Sequence, residues 1–316
     1  MAREGFPILM YHRVEDSLYM EPGGLKLSGE HCSLKKFTAA LQRLKREFKV
    51  VPLSKAAVVH RDHLLENTAV LTFDDGTRDH VEVVLPLLQE FGLTATFFVM
   101  SGPFSDWIPP TFKMQLITGG AVPLGEVAEK RFPVVLDEVA PDFARQYRKG
   151  VKVPQDRYIS ESQRVREMKY LVNYLMPART KDTVVERLFH AMFGSAAETG
   201  TARKMFLSPA DIRKLTGAGM TIGSHSRSHY NLATLGAEHE VFTEVVGAKE
   251  EIARNTGVVP AYFAYPAGGR QGFTPANAAL VAEHFAAACI TGTQRDLCTP
   301  ADGIYELPRI HEKYFG

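Results

Sequence analysis

Two short runs in the chain combine residue types that do chemistry. In Leu71-Thr72-Phe73-Asp74-Asp75-Gly76, two adjacent carboxylates stand where an apolar run gives way to a glycine turn. Such a pair can supply a general base and an anionic metal ligand, whereas an ordinary Asp-Gly turn supplies neither. In Ile222-Gly223-Ser224-His225-Ser226-Arg227-Ser228-His229, two histidines stand four residues apart after another short apolar run. At that spacing both imidazoles lie on one face of a helical turn, a common arrangement for two ligands of one metal. The Ser and Arg neighbours are not those of core histidines. Two histidines and one carboxylate leave coordination positions open to water, which makes a catalytic rather than a closed structural set.

The elements around these runs must bring them together. Short apolar runs over residues 6–11, 69–73, 95–99, 220–223, 262–265, 286–290 and 307–310 read as strands. They alternate with helical patterns, as in a parallel α/β architecture, whose active sites assemble at the carboxyl ends of the strands. Leu34, Phe37, Leu41, Leu44 and Phe48 form one helical stripe, and Val81, Val84, Leu85, Leu88 and Phe91 another, with Gly92 placed to end it. Ser208-Pro209 and Thr274-Pro275 read as helix starts, and Gly257 as a helix end. From 103 to 204 the alternation stops and the sequence becomes charged and helical, with two helices meeting near Pro177. The expected organisation is therefore a barrel formed by 1–102 and 205–316, interrupted by a helical insertion over 103–204. The insertion reads as a packing decoration, a lid over the strand ends, or an assembly element joining a homo-oligomer.

Composition sets outer limits. The chain has 316 residues and 35.1 kDa, 45% hydrophobic and 23% charged, which is the balance of a folded globular protein. Lys plus Arg (37) almost equals Asp plus Glu (36), leaving no basic excess for nucleic acid or a membrane surface. No apolar run approaches the ~20 residues of a bilayer span. Cys32, Cys289 and Cys298 form no CxxC and cannot all pair, so a disulfide scaffold is not expected. The apolar stretch 6–11 is too short for a signal-peptide core, and the expected location is cytoplasmic.

The sequence resembles the polysaccharide deacetylases, the NodB-homology domain of carbohydrate esterase family four. The resemblance rests on Thr72-Phe73-Asp74-Asp75-Gly76, His225-Ser226-Arg227-Ser228-His229 and Phe263-Ala264-Tyr265-Pro266-Ala267-Gly268. Ala95-Thr96-Phe97-Phe98-Val99 and Leu307-Pro308-Arg309-Ile310 add to it. It covers roughly 6–102 and 205–311. It implies a distorted (β/α)7 TIM-like barrel and metal-dependent hydrolysis of the N-acetyl amide of an amino sugar. By position, the resemblance makes Asp74 the general base and Asp75, His225 and His229 the metal ligands. The metal would be Zn2+, with Co2+, Ni2+ or Fe2+ as alternatives.

The third motif departs from the family's Arg-Pro-Pro-Tyr: Ala264 stands at the arginine and Ala267 at the tyrosine. The amide of Ala267 still donates to an oxyanion, and Arg309 is the candidate to replace the missing arginine beside Asp74. The fourth motif, an Asp-Trp element after the third, is missing, since the only tryptophan, Trp107, precedes the histidine pair. The late histidine of the fifth motif has a counterpart in His311. Ile8-Leu9-Met10-Tyr11-His12 instead resembles a permuted subgroup that includes the poly-N-acetylglucosamine deacetylases and takes its acid histidine from the first strand, here His12. Two alternatives stand beside this reading: an amidohydrolase of the same fold acting on a small non-sugar amide, and an inactive carbohydrate-binding barrel.

Overall fold

The computed structural model describes residues 5–15, 27–28, 31–55, 67–155, 160–293 and 296–315. Seven parallel strands form a closed ring: β1 (Ile8–Tyr11), β2 (Thr68–Phe73), β3 (Thr96–Val99), β4 (Thr221–Ser224), β5 (Tyr262–Ala264), β6 (Ala287–Thr291) and β7 (Leu307–His311). Each pairs with the next, and β1 closes the barrel by pairing with both β2 and β7. The apolar runs of the sequence locate all seven to within two residues. A short eighth strand, Lys49–Val50, lies outside the ring on β2.

Alternation along the strands divides the core. Ile8, Val70, Phe98, Ala264, Ala287, Cys289 and Leu307 belong to one buried cluster, the barrel interior. Their neighbours Leu9, Tyr11, Leu71, Phe73, Phe97, Val99 and Ile310 belong to another, packed against the helices. Helix α1 (Leu34–Glu47) buries Phe37, Leu41 and Leu44 there, as its stripe predicts, and Ser33 caps it by accepting from the Lys36 amide at 3.3 Å. Helix α2 (Leu85–Phe91) ends at Gly92 with φ of 67°, a left-handed conformation that glycine adopts without penalty. Helices α3 (Pro209–Gly217) and α5 (Pro275–His284) start with capping boxes at Ser208 and Thr274, and α4 (Ala248–Thr256) stops at Gly257. All three cysteines are buried free thiols.

The chain divides into two compact units. The barrel comprises residues 1–16, 30–107 and 201–316; the other unit comprises 17–29 and 108–200. The second unit is helical, and Pro177 opens its longest helix, Ala178–Phe193. It buries Phe112, Phe132, Leu136, Tyr147, Met168, Leu171 and Leu188. Lys113 is fully buried in it, paired with Glu186 and, at 2.7 Å, with Glu198. The sequence placed this unit at 103–204, but it also takes in Leu27 and Ser28, whose amide donates to the Gln115 carbonyl at 3.1 Å. No described helix is long and apolar enough to cross a membrane.

Candidate active site

The alternation that fills the barrel also aims the residues above its apolar layer. Val70, Thr72 and Asp74 share one parity, as do Ile8, Met10 and His12, and Leu307, Arg309 and His311. Asp74 and Arg309 meet inside, both almost fully buried. Arg309 Nη1 and Nη2 each donate to one oxygen of Asp74 at 2.6 Å, a bidentate pair. Arg309 also donates to Thr72 Oγ1 at 3.3 Å and from Nε to the Ile290 carbonyl at 3.4 Å. Burial alone would raise the Asp74 pKa. The charge of Arg309, then that of His225, together with the Arg309 hydrogen bonds, outweighs burial and holds the carboxyl well below the usual carboxylate range. Asp74 is therefore ionised at neutral pH. Arg309, named from the sequence as a substitute for the missing third-motif arginine, is the residue that grips it.

Strict alternation would turn Asp75 out of the barrel. Instead its φ of 76° turns the chain, and its Oδ1 lies 3.6 Å from His225 Nε2 and 3.4 Å from His229 Nε2. The three potential ligand atoms all fall within 4.8 Å of one another. Asp75 Oδ1 is buried without a hydrogen-bond partner, a costly state for a carboxylate oxygen that a cation would relieve. His225 Nδ1 is 2.8 Å from the Ala264 carbonyl, which only accepts, so Nδ1 carries a proton and Nε2 is the nitrogen that faces Asp75. Burial, opposed by Asp75 and reinforced by His225 and His12, pushes the His229 pKa down to about 4, so this imidazole is neutral at pH 7. One carboxylate oxygen and two imidazole nitrogens can hold a divalent metal ion.

The histidine pair does not sit on a helical turn, as its spacing led us to expect. It lies on a loop in which Ser226 and His229 have φ of 64° and 60°. The loop is held against the end of β3, where the His225 amide donates to the Val99 carbonyl and the Gly102 amide to the Arg227 carbonyl, each at 2.9 Å. A Cβ on Gly102 would stand 2.7 Å from that carbonyl oxygen, so only glycine permits the approach. Glu244 Oε2 accepts from the amides of Arg227 (3.1 Å) and Ser228 (2.8 Å). Sequence reasoning missed Glu244, although its signal was present: a carboxylate three residues after Val241 and one before Val245, on the buried face of its helix. Among described residues, four of the six non-glycine residues with positive φ, namely Asp75, Ser226, His229 and Ala267, lie in the three motifs. Such conformations cost of order 1–3 kcal/mol each and collect at functional sites.

His12 follows β1 at the same end of the barrel, half-buried, with its ring centroid 5.6 Å from that of His311. His311 is buried beside it, and its Nδ1 lies 2.5 Å from Glu312 Oε2. Ala267 is exposed with φ of 60°, and its amide donates to no described residue, leaving that donor for a ligand.

The chain matches the family model described as Polysaccharide deacetylase over residues 62–122 and 181–283, just over half its length. That span contains Asp74, Asp75, His225, His229 and Ala267 but not His12 or Arg309. No curated protein matches the chain. Among solved structures it is similar to the Streptococcus pyogenes deacetylase PplD in complex with acetate. There the identity is 16%, the coverage 98% of this chain and 93% of that one, and the TM-score 0.57. It is also similar to IcaB from Ammonifex degensii, at 16% identity, 98% and 92% coverage and a TM-score of 0.56. A de-N-acetylase from Aggregatibacter actinomycetemcomitans follows at 14% identity, 96% and 94% coverage and a TM-score of 0.54. At such identities these likenesses establish the fold. With the family match and the acid and histidine motifs joined at the strand ends of a seven-stranded barrel, the chain belongs to the polysaccharide deacetylase family, hydrolases of N-acetyl amide bonds.

Proposed function

We propose that this protein is a metal-dependent deacetylase that removes the acetyl group from an N-acetylated amino sugar. The observation that carries the reading is the Arg309–Asp74 pair standing next to the Asp75, His225 and His229 ligand set. It supplies an ionised base beside an open cation site, despite the alanine at the third motif's arginine position. A divalent ion held by those three residues, Zn2+ by the nature of the donors and Co2+, Ni2+ or Fe2+ in its place, would polarise the acetyl carbonyl and acidify the attacking water.

The remaining chemistry belongs to the chain. Asp74 takes a proton from the water as it attacks, and Arg309 keeps that carboxylate ionised and fixed in direction. The Ala267 amide donates to the carbonyl oxygen as negative charge develops on it. His12 gives a proton to the amine nitrogen as the carbon–nitrogen bond breaks, because an amide anion is too basic to leave. A proton donor just past the first strand is the feature this reading shares with the permuted subgroup.

Acetate release tests the reading, measured on N-acetylglucosamine, its hexamer, a nucleotide-linked N-acetyl sugar and acetamide, after chelation and reloading with each metal. Release that depends on metal and vanishes in Asp74→Asn is expected. Hydrolysis of a small non-sugar amide alone would replace the sugar with that substrate, and no release from any compound would leave a binding barrel.

A further inference from the structure

Beyond Tyr11, β1 leaves the barrel ladder, and the carbonyl of His12 needs another partner in a buried setting. His80 supplies it. Its Nε2 lies 2.8 Å from the His12 carbonyl oxygen, which only accepts, so the proton sits on Nε2. The His80 ring is fully buried and packs against the stacked pair Phe73 and Phe97, at centroid distances of 5.5 and 5.3 Å. Two residues past His12, the Val14 amide donates to Asp79 Oδ2 at 2.7 Å, and Asp79 is buried too. The segment that presents His12 is thus gripped on one side of His12 by His80 and on the other by Asp79, and its Arg13–Val14 pairs with His31–Cys32. Asp79 and His80 open the π-type turn His80–Val84, four residues beyond Asp75. Wide turns of this kind are common next to functional sites.

We propose that Asp79 and His80 are positioning residues for proton transfer. The stretch of chain that follows β2 carries the base and a metal ligand and, five residues on, the grip on the His12 segment, so both ends of the reaction share one support. His12 has few restraints of its own, since its Nδ1 has no hydrogen-bond partner. The backbone grip is what fixes its ring. This inference rests on His12 being the proton donor.

The test uses His80→Leu, which keeps the apolar bulk and removes the donor, and His80→Gln, whose amide nitrogen reaches toward the same carbonyl. Turnover is measured on the N-acetylglucosamine hexamer and on 4-nitrophenyl acetate, whose leaving group departs without a proton. In His80→Leu, kcat on the hexamer should fall about ten- to a hundredfold, since a misplacement of about 1 Å can cost ~10²-fold. KM, metal content and ester turnover should stay within about twofold, and His80→Gln should recover most of the loss. Independently of any substrate, the ring signals of His12 in protein labelled with 15N-histidine should shift in His80→Leu while those of His225 and His229 hold. Equal loss on amide and ester, or unmoved His12 signals, would overturn the proposal. His12→Ala separates the two ideas. If it shows no amide-selective loss, the donor assignment falls and this inference with it. If it does and His80→Leu does not, the grip alone falls.

Discussion

Replacing Arg309 by Met removes a guanidinium whose side chain is 1% exposed from a carboxylate that is 3% exposed. Two charge-assisted hydrogen bonds of 2.6 Å disappear, each of a kind worth about 1.5–3 kcal/mol. What remains is a buried carboxylate with no cation beside it, and breaking a buried pair from one side typically costs about 3–5 kcal/mol. That is a large share of the ~5–15 kcal/mol by which folded domains are stable. Asp74→Asn should cost a comparable amount, because it strands the guanidinium instead. The double variant Arg309→Met with Asp74→Asn leaves neither charge, and its cost should fall short of the sum of the singles by a few kcal/mol.

Urea unfolding of the metal-free protein at pH 7.5 measures this cycle, and acetate release measures activity in parallel. Arg309→Met should retain metal, since none of its contacts reaches Asp75, yet lose turnover, since burial without Arg309 favours the protonated acid that cannot serve as a base. Arg309→Lys should fall between, having a charge but no fork to engage both oxygens. Additive stabilities, or an Arg309→Met enzyme with unimpaired turnover, would refute the reasoning.

The other predictions concern the cation site and acid. His229→Ala leaves two ligands, so metal content by mass spectrometry and activity should drop together; full occupancy with normal turnover would remove the site. Asp74→Asn should keep its metal and lose ~10²–10⁴ in rate, the usual worth of a general base, whereas Asp75→Asn should lose the metal itself. Equal metal loss in both would show the two acids to be misassigned. Acid should destabilise the metal-free protein in two windows. A His229 held at about 4 refuses a proton that the unfolded chain takes up near its ordinary ~6.5, so stability should fall as pH drops between those values and then level. Below ~3.9, the depressed Asp74 adds its own loss as pH falls toward its folded value. His229→Gln should flatten the upper window; an unchanged slope there would count against the assignment.

The strands were legible because each is an apolar run closed by a turn. Arg309 was legible because the third motif lacks its arginine and this cation stands in the last strand; the barrel adds that it shares the inward parity of Leu307. Its bidentate grip on Asp74 was not, because the two residues are 235 positions apart and only barrel closure through β1 makes them neighbours. The loop carrying the histidines was misread for a local reason. Spacing by four is the same number on a helix and on a folded loop, and left-handed residues other than glycine leave no mark in composition. Asp79 and His80 escaped for a third reason: they act on the backbone of His12 and Val14, and a carbonyl's need for a donor depends on where the ladder ends.

The adjacent acids show how far alternation alone carries the argument. Asp74 continues the inward series Val70, Thr72, Asp74 and so reaches Arg309 without any special backbone. Asp75 is the first residue to leave that series, and its left-handed φ of 76° swings its carboxylate back toward the two histidines instead of out under the helices. Two identical side chains in sequence therefore take different work because one obeys the pleat and the other breaks it. Asn and Asp tolerate the left-handed region better than other side chains. An Asp at the breaking position thus supplies both the needed conformation and the negative charge that a cation would balance. A β-branched residue at 75 would forfeit both at once, whereas at 74 only the charge would be lost.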